Sequence, residues 1–324
     1  MTKRSIKFIS LFLIMMLMVI SFVACSPDGE DSPQDDGNVV EDGNGGDERD
    51  TTTYPLELED SFGNRVVFEG APKRIVSTIP SHTEILFGLG LEDEIVGVSA
   101  FCDYPEEALE KTKIGDYEGT DLEKIIELEP DLVLLYGPGD EEENARLEEA
   151  GIPLLGYLPE SVDEVIETIE TIGEITDTNE AAKSITDDMI SKRDEIVGKV
   201  EGEDTPRVFY EIWHDPLSAA GPGSFMDELI NLSGGENIAK DAEQSYAEYD
   251  LESLIEKDPE IYLAADDSQK TIESISERPG YGDIRAIKEG NIYLLDDNIA
   301  SRPGPRIIEA LELVAKTIHP DLFD

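Results

Sequence analysis

Histidine occurs three times in these 324 residues, cysteine twice and tryptophan once, and Lys plus Arg total only 25. Each scarcity excludes something. His82, His214 and His319 show no HExxH spacing, and the His82-Thr83-Glu84 run, which resembles the HxE of zinc deaminases, is followed by no PCxxC. Zinc hydrolases, deaminases and histidine-rich metal carriers therefore lack their ligands here. Two cysteines build no disulfide framework, so the fold must rest on its core. No GxSxG elbow, GxxxxGK[ST] loop or complete GxGxxG is present, and Gly88-Leu89-Gly90 and Gly221-Pro222-Gly223 read as turns.

The shortage of positive charge weighs most. Asp plus Glu number 75, for a formal net charge of −50. Such a surface repels nucleic-acid phosphates and anionic lipid, so no nucleic-acid partner is expected. The acids are interspersed through helical stretches and read as a solvated surface; a saline habitat would screen their self-repulsion.

What is present begins with an export signal. Lys3, Arg4 and Lys7 precede an apolar run from Phe8 to Val23, too short for a comfortable membrane span. Ala24 then precedes Cys25 as in a bacterial lipobox, although Phe22 stands where Leu is usual. The reading is a signal over 1–24, lipidation at Cys25 and an Asp- and Gly-rich tether through residue 53. The protein is then extracytoplasmic, held to the outer face of the cell membrane only by its lipid; the alternative is a plain signal with a chance cysteine.

The remaining chain alternates. After a hairpin signal at Gly63-Asn64, strand-like RIVST, EIVGVS, DLVLLY and IPLLGYL runs are separated by helical patterns, which argues for βα units on a mostly parallel sheet. Over 161–200 the pattern is helical alone, with Val162, Val165, Ile169 and Ile172 on one face and Ala182, Ile185, Met189, Ile196 and Val200 on another. Beyond it the alternation resumes with RVFYEIW. The expectation is an α/β protein of two lobes, 54–160 and 201–324, joined by a helical connector and holding a ligand in the cleft at the carboxyl ends of their strands. Phe101, Tyr104, Tyr117, Tyr136, Trp213, Tyr246 and Tyr249 all fall near such ends or just before the repeated helices described next; taken singly, each also reads as a packing aromatic.

One helix and strand are written twice. TDLEKIIELEPDLVLLY from Thr120 and YDLESLIEKDPEIYLAA from Tyr249 share seven of seventeen positions, including Asp121/Asp250, Leu122/Leu251 and Glu123/Glu252.

RIVSTIPSHTEILFGLGLEDEIVGVSAFCDYP, the two repeated stretches, GPGSFMDELINLSGGENI and RPGPRIIEALE together resemble the periplasmic cobalamin-binding proteins of ABC importers, the BtuF type, from about Lys73 to the C-terminus. The resemblance implies two Rossmann-like lobes bridged by a long helix, restricted hinge motion and a corrinoid, cobalamin or cobinamide, lying edge-in between them. It implies a monomer that delivers this ligand to a permease dimer with a cytoplasmic ATPase, with no cofactor or resident metal and no catalysis. Glu123 and Glu252 stand where the family docks into permease arginines; alternatively each only favours the positive end of its helix dipole. Phe101, Tyr117, Tyr136 and Tyr246 stand where the family places rings around the corrin, the last three being tryptophans in the family member compared, and Trp213 ends a strand at the same edge. Arg302 matches a position near the cleft, as a ligand donor or as a salt bridge. His82 and His214 follow strand ends, either to reach a bound cobalt or iron or as hydrogen-bonded structural residues. Haem and ferric-siderophore binding proteins share this architecture and stay open as alternatives, as does an extracellular enzyme on the same scaffold.

Overall fold

The computed structural model describes residues 51–116, 119–266 and 270–323. The signal segment, Cys25, nearly all of the tether and Tyr117 lie outside them. The first described element is the hairpin: β1 (Leu56–Glu59) pairs antiparallel with β2 (Arg65–Phe68) around Gly63, whose φ of +92° disfavours any side chain. The Asp60 carboxylate accepts the N–H groups of Phe62 (2.9 Å) and Asn64 (2.9 Å) and, 96 residues away, that of Gly156 (2.6 Å), which ties the turn to the first lobe.

That lobe runs β3 (Ile75–Ser77), α1 (Pro80–Gly88), β4 (Ile95–Val98), the two-residue β5 (Gly115–Asp116) and β6 (Gly119–Thr120), α2 (Leu122–Glu127), β7 (Leu132–Tyr136), α3 (Glu141–Glu149) and β8 (Leu154–Tyr157). Four strands form one parallel sheet in the order β4-β3-β7-β8. Their apolar runs are continuous because both faces are covered. Ile75, Leu132, Leu134 and Leu155 enter the main core, while Val76, Val133, Leu135 and Leu154 pack into a second cluster with Ile125 and Leu147 of α2 and α3.

The connector holds two helices, α4 (Val162–Thr176) and the 22-residue α5 (Asn179–Val200). They part where Asp177 takes a left-handed φ of 57°. A Cβ on Gly173 would lie 2.4 Å from that of Ala182, so only glycine lets the two helices approach so closely. The faces read from the sequence are the buried ones: Val165, Ile169 and Ile172 of α4, and Ala182, Met189 and Ile196 of α5, join the same core as Leu311 and Val314 near the C-terminus.

The second lobe runs β9 (Arg207–His214), β10 (Leu217–Ala220), α6 (Phe225–Leu232), β11 (Glu236–Asn237), β12 (Tyr246–Glu248), α7 (Leu251–Lys257), β13 (Ile261–Asp266), α8 (Ile272–Ser276), α9 (Arg285–Glu289), β14 (Ile292–Asp296), α10 (Asp297–Ala300) and α11 (Ile307–Ile318). Its sheet order is β12-β10-β9-β13-β14, with β11 also on β9. The β9, β13 and β14 strands are parallel, as expected; β10 runs antiparallel to both of its neighbours, β9 and β12, which the alternating pattern did not indicate. Tyr246, expected in a loop, is the first residue of β12.

The written repeat is a structural one. Ile75 lies opposite Leu132 in the first lobe, and Val208 lies opposite Ile261 in the second. Asp121 and Asp250 cap α2 and α7, accepting the N–H of Lys124 (2.9 Å) and of Ser253 (2.8 Å). At the other end, Arg74 Nε donates to the carbonyls of Leu128 and Glu129, and Arg207 Nε to those of Lys257 and Asp258. Glu129 and Asp258 both take φ 45° where each helix turns into its strand. Arginine at a helix C-terminus satisfies orphan carbonyls and suits the dipole. Asp121→Ala and Asp250→Ala should therefore each lower stability by about 1 kcal/mol, and additively, in urea unfolding; a cost confined to one lobe would show that the two caps are not equivalent.

Candidate functional site

In a βαβ unit the helix runs back against the strands, so α2 and α7 begin at the carboxyl edge of their sheets, where β3, β4, β7, β9 and β13 end. The topology thus gathers one set of side chains along that edge. Tyr136 ends β7 and is 43% exposed; Trp213 lies at the end of β9, and Phe101 and Tyr104 lie in the loop after β4, all well exposed for rings of that size. Tyr246, from the other lobe, is 62% exposed.

Tyr136 and Tyr246, on different lobes, lie within electrostatic reach of one another. Partial burial, then the neighbouring Tyr246 and Glu160, push the Tyr136 phenol above its ordinary value. Partial burial raises Tyr246 too; a backbone hydrogen bond from Phe225 opposes this, and the Glu160 charge adds to it. Both phenols are thus neutral and within reach of the Glu160 charge.

Trp213 is held from three sides. Its Nε1 donates to the Asp215 carbonyl at 3.0 Å, the His214 ring lies 5.2 Å away, and Lys270 Nζ sits 6.0 Å from the indole. Lys270 is itself buried and donates to the Ile212 carbonyl at 2.8 Å. Two residues before the indole, the buried Glu211 accepts from Arg278 and from the Tyr262 hydroxyl, so a compensated charge cluster fixes the end of β9.

Arg302 is engaged by side chains of both lobes. Its guanidinium donates to Asp103 at 2.6 Å and to the Asn298 side chain at 2.6 Å, and lies 3.6 Å from Glu84. Arg302 holds the Asp103 carboxyl below the usual carboxylate range. Next to it Arg306, unnoticed in the sequence, donates twice to Glu84, at 2.9 and 2.6 Å, and stacks on the Tyr104 ring at 3.8 Å. Glu84 is a carboxylate inside the apolar helix α1 with a side chain 2% exposed, and that placement was the available signal: such a group requires a cation.

The two histidines separate. His214 is exposed beside Trp213, whereas His82 is fully buried in α1, and neither of its ring nitrogens has a hydrogen-bond partner. The expected hydrogen-bonded role is therefore corrected. His82 meets Tyr157 edge-on at 6.0 Å, and burial pulls its pKa down to about 4. No group of three or more His, Cys, Asp or Glu among the described residues is placed to hold a metal ion.

Glu123 and Glu252 are exposed in the first turns of α2 and α7, and neither side chain has a hydrogen bond or ion pair among the described residues. The capping task belongs to Asp121 and Asp250. Tyr117, before α2, lies outside the described residues.

The sequence pattern of the family described as periplasmic binding protein matches residues 75–299. The chain belongs to that family. It is 32% identical over 295 residues to the uncharacterized ABC transporter substrate-binding lipoprotein YvrC of Bacillus subtilis, covering 87% of this chain and 93% of that protein. Among solved structures, the periplasmic vitamin B12 binding protein BtuF of Vibrio cholerae superposes with a TM-score of 0.67 at 25% identity, over 77% of this chain and 97% of that one. The periplasmic haem-binding protein RhuT of Roseiflexus sp. RS-1, in apo form, superposes with a TM-score of 0.70 at 26% identity, over 79% and 100%. Two lobes on a helical connector are common ground for this binding-protein fold.

A folded-state pKa near 4 against an unfolded value of 6.5 makes His82 a source of acid sensitivity. Its contribution is complete above the unfolded value and is lost as pH falls toward the folded one, because the unfolded chain binds the proton first. His82→Leu should thus reduce by about 3 kcal/mol the stability lost between pH 7 and pH 4. Urea midpoints of both proteins at the two pH values read this; equal losses would show that His82 is solvated in the folded state.

Proposed function

We propose that the chain is the substrate-binding lipoprotein of an ABC importer, anchored through Cys25, which captures a corrinoid in the cleft between its lobes and delivers it to a permease dimer. The observation that carries the ligand class is the charge balance of the cleft. Arg302 and Arg306 are bound to Glu84 and Asp103, while the half-exposed phenols of Tyr136 and Tyr246 feel the Glu160 charge and no cation. Such a lining offers ring surface and hydrogen-bond acceptors. A corrin edged with neutral carboxamides suits it, whereas the propionates of haem or the anionic groups of a ferric siderophore would meet a carboxylate without a matching cation. Phe101, Tyr136, Trp213 and Tyr246 are the proposed ring contacts, with Tyr117 assigned from the sequence alone; Arg302 acts between the lobes rather than on the ligand.

One feature favours haem as the second reading: Tyr136, Tyr246 and His214 are exposed at this edge and are suitable iron ligands. Cyanocobalamin or cobinamide should quench Trp213 fluorescence to a one-to-one end point. Quenching by hemin with no response to either corrinoid would establish the second reading instead.

For docking, the repeat supplies the support. Of the repeated polar residues, Asp121, Asp250, Arg74 and Arg207 close helix ends and Glu127 pairs with Lys124, while the Glu123 and Glu252 side chains have no hydrogen bond or ion pair among the described residues. A pseudo-symmetric permease needs one charge presented twice. Glu123→Ala and Glu252→Ala should each weaken docking roughly thirtyfold, about 2 kcal/mol, with ligand binding in solution unchanged. Normal uptake by the double variant, with a lowered melting temperature, would reduce both residues to helix-dipole partners.

A further inference from the structure

Four charged side chains join the lobes at one end of the cleft. Glu84 belongs to α1 and Asp103 to the loop after β4; Arg302 and Arg306 lie between α10 and α11, 199 and 222 residues further along. The Glu84 carboxylate receives both Nε and Nη2 of Arg306 and lies 3.6 Å from Arg302. Arg302 reaches on to Asp103 at 2.6 Å, and Arg306 lies flat on Tyr104. The backbone is brought just as close: a Cβ on Gly304 would lie 3.3 Å from the Ser81 carbonyl oxygen, so the loop carrying both arginines lies on the first turn of α1. Three of its members are enclosed, with Glu84, Arg302 and Arg306 side chains all at most 16% exposed, while Asp103 stands half exposed at the rim.

A buried carboxylate that loses its cation is strongly penalised, so an arrangement in which the lobes separate here is disfavoured. The same contacts reach the proposed ligand ring. Phe101 is two residues from Asp103, and the intervening Cys102 is fixed from inside by the Thr83 and Ser99 hydroxyls at 3.1 and 3.2 Å. From these contacts we infer that Glu84, Arg306, Arg302 and Asp103 form an ionic strut that sets the distance between the lobes and, through the 101–104 loop, the position of Phe101. Glu84 and Arg306 are then positioning residues, which act on cleft width without touching the ligand.

The test measures the lobe separation directly. In the full chain carrying Cys25→Ser, Glu149→Cys on α3 and Glu256→Cys on α7 place one spin label on each lobe, while the native Cys102 is buried. The parent should give one narrow distance distribution. Glu84→Gln and Arg306→Gln should broaden it or shift it to longer distances; Arg302→Gln, which leaves the Glu84–Arg306 pair in place, is a milder cut that should act in the same direction. Unchanged narrow distributions in folded Arg306→Gln and Arg302→Gln proteins would overturn the strut. The claim about Phe101 rests on the corrinoid reading and has its own arm: cyanocobalamin affinity should fall about tenfold in Arg306→Gln. Broadened distances in a protein that never binds corrinoid would leave the strut standing and defeat the ligand reading; broadened distances with unchanged affinity would confine the strut to lobe spacing and overturn its role in placing Phe101.

Discussion

Parallel pairing of β3 with β7 and of β9 with β13 is the constraint from which the rest follows. Parallel strands need a helix to carry the chain back, and that helix must begin where the strands end. Both lobes therefore place a helix start, its capping aspartate and its exposed glutamate at the same edge as the strand-end aromatics. The proposed ring contacts and the proposed docking charges become neighbours because of connectivity, before any side chain is chosen. The shared core of α4, α5 and α11 then holds the two edges as parts of one body.

With 25 basic residues against 75 acidic ones, the places where cations are used carry information. Arg74 and Arg207 close the C-termini of the repeated helices, Arg278 and Lys270 surround buried Glu211, and Arg302 and Arg306 cross between the lobes. Each sits where an unsatisfied carbonyl or a buried carboxylate would otherwise be costly. A polyanionic ligand would compete with these acids for the same guanidinium groups. A neutral, amide-edged ligand makes no such demand.

The sequence made the periodic parts of this molecule legible. The buried faces of α4 and α5, the hairpin at Gly63 and the duplicated helix and strand follow from local spacing and turn chemistry, and they are found where the pattern put them. The antiparallel β10 and β12 were not legible, because strand direction depends on the connection and not on the alternation of residues. Tyr246 reads as a loop residue because β12, three residues long, is too short to show an alternation. Arg302 appeared at once as ligand donor and as salt bridge, since its partners Asp103 and Glu84 are about 200 residues away and no local rule pairs them. His82, which follows a strand end, left open a reach to a bound metal or a hydrogen-bonded role; tertiary packing buries its ring against Tyr157 with neither nitrogen partnered among the described residues.

The visible absorption spectrum of the protein isolated from cells supplied with both a corrinoid and haem bears most directly on the account. A cleft lined by phenols and a carboxylate, with its arginines committed between the lobes, should come out carrying the absorption of a corrin at one equivalent per chain. A Soret band with no corrin absorption would contradict the account and make Tyr136, Tyr246 and His214 iron ligands instead of ring contacts.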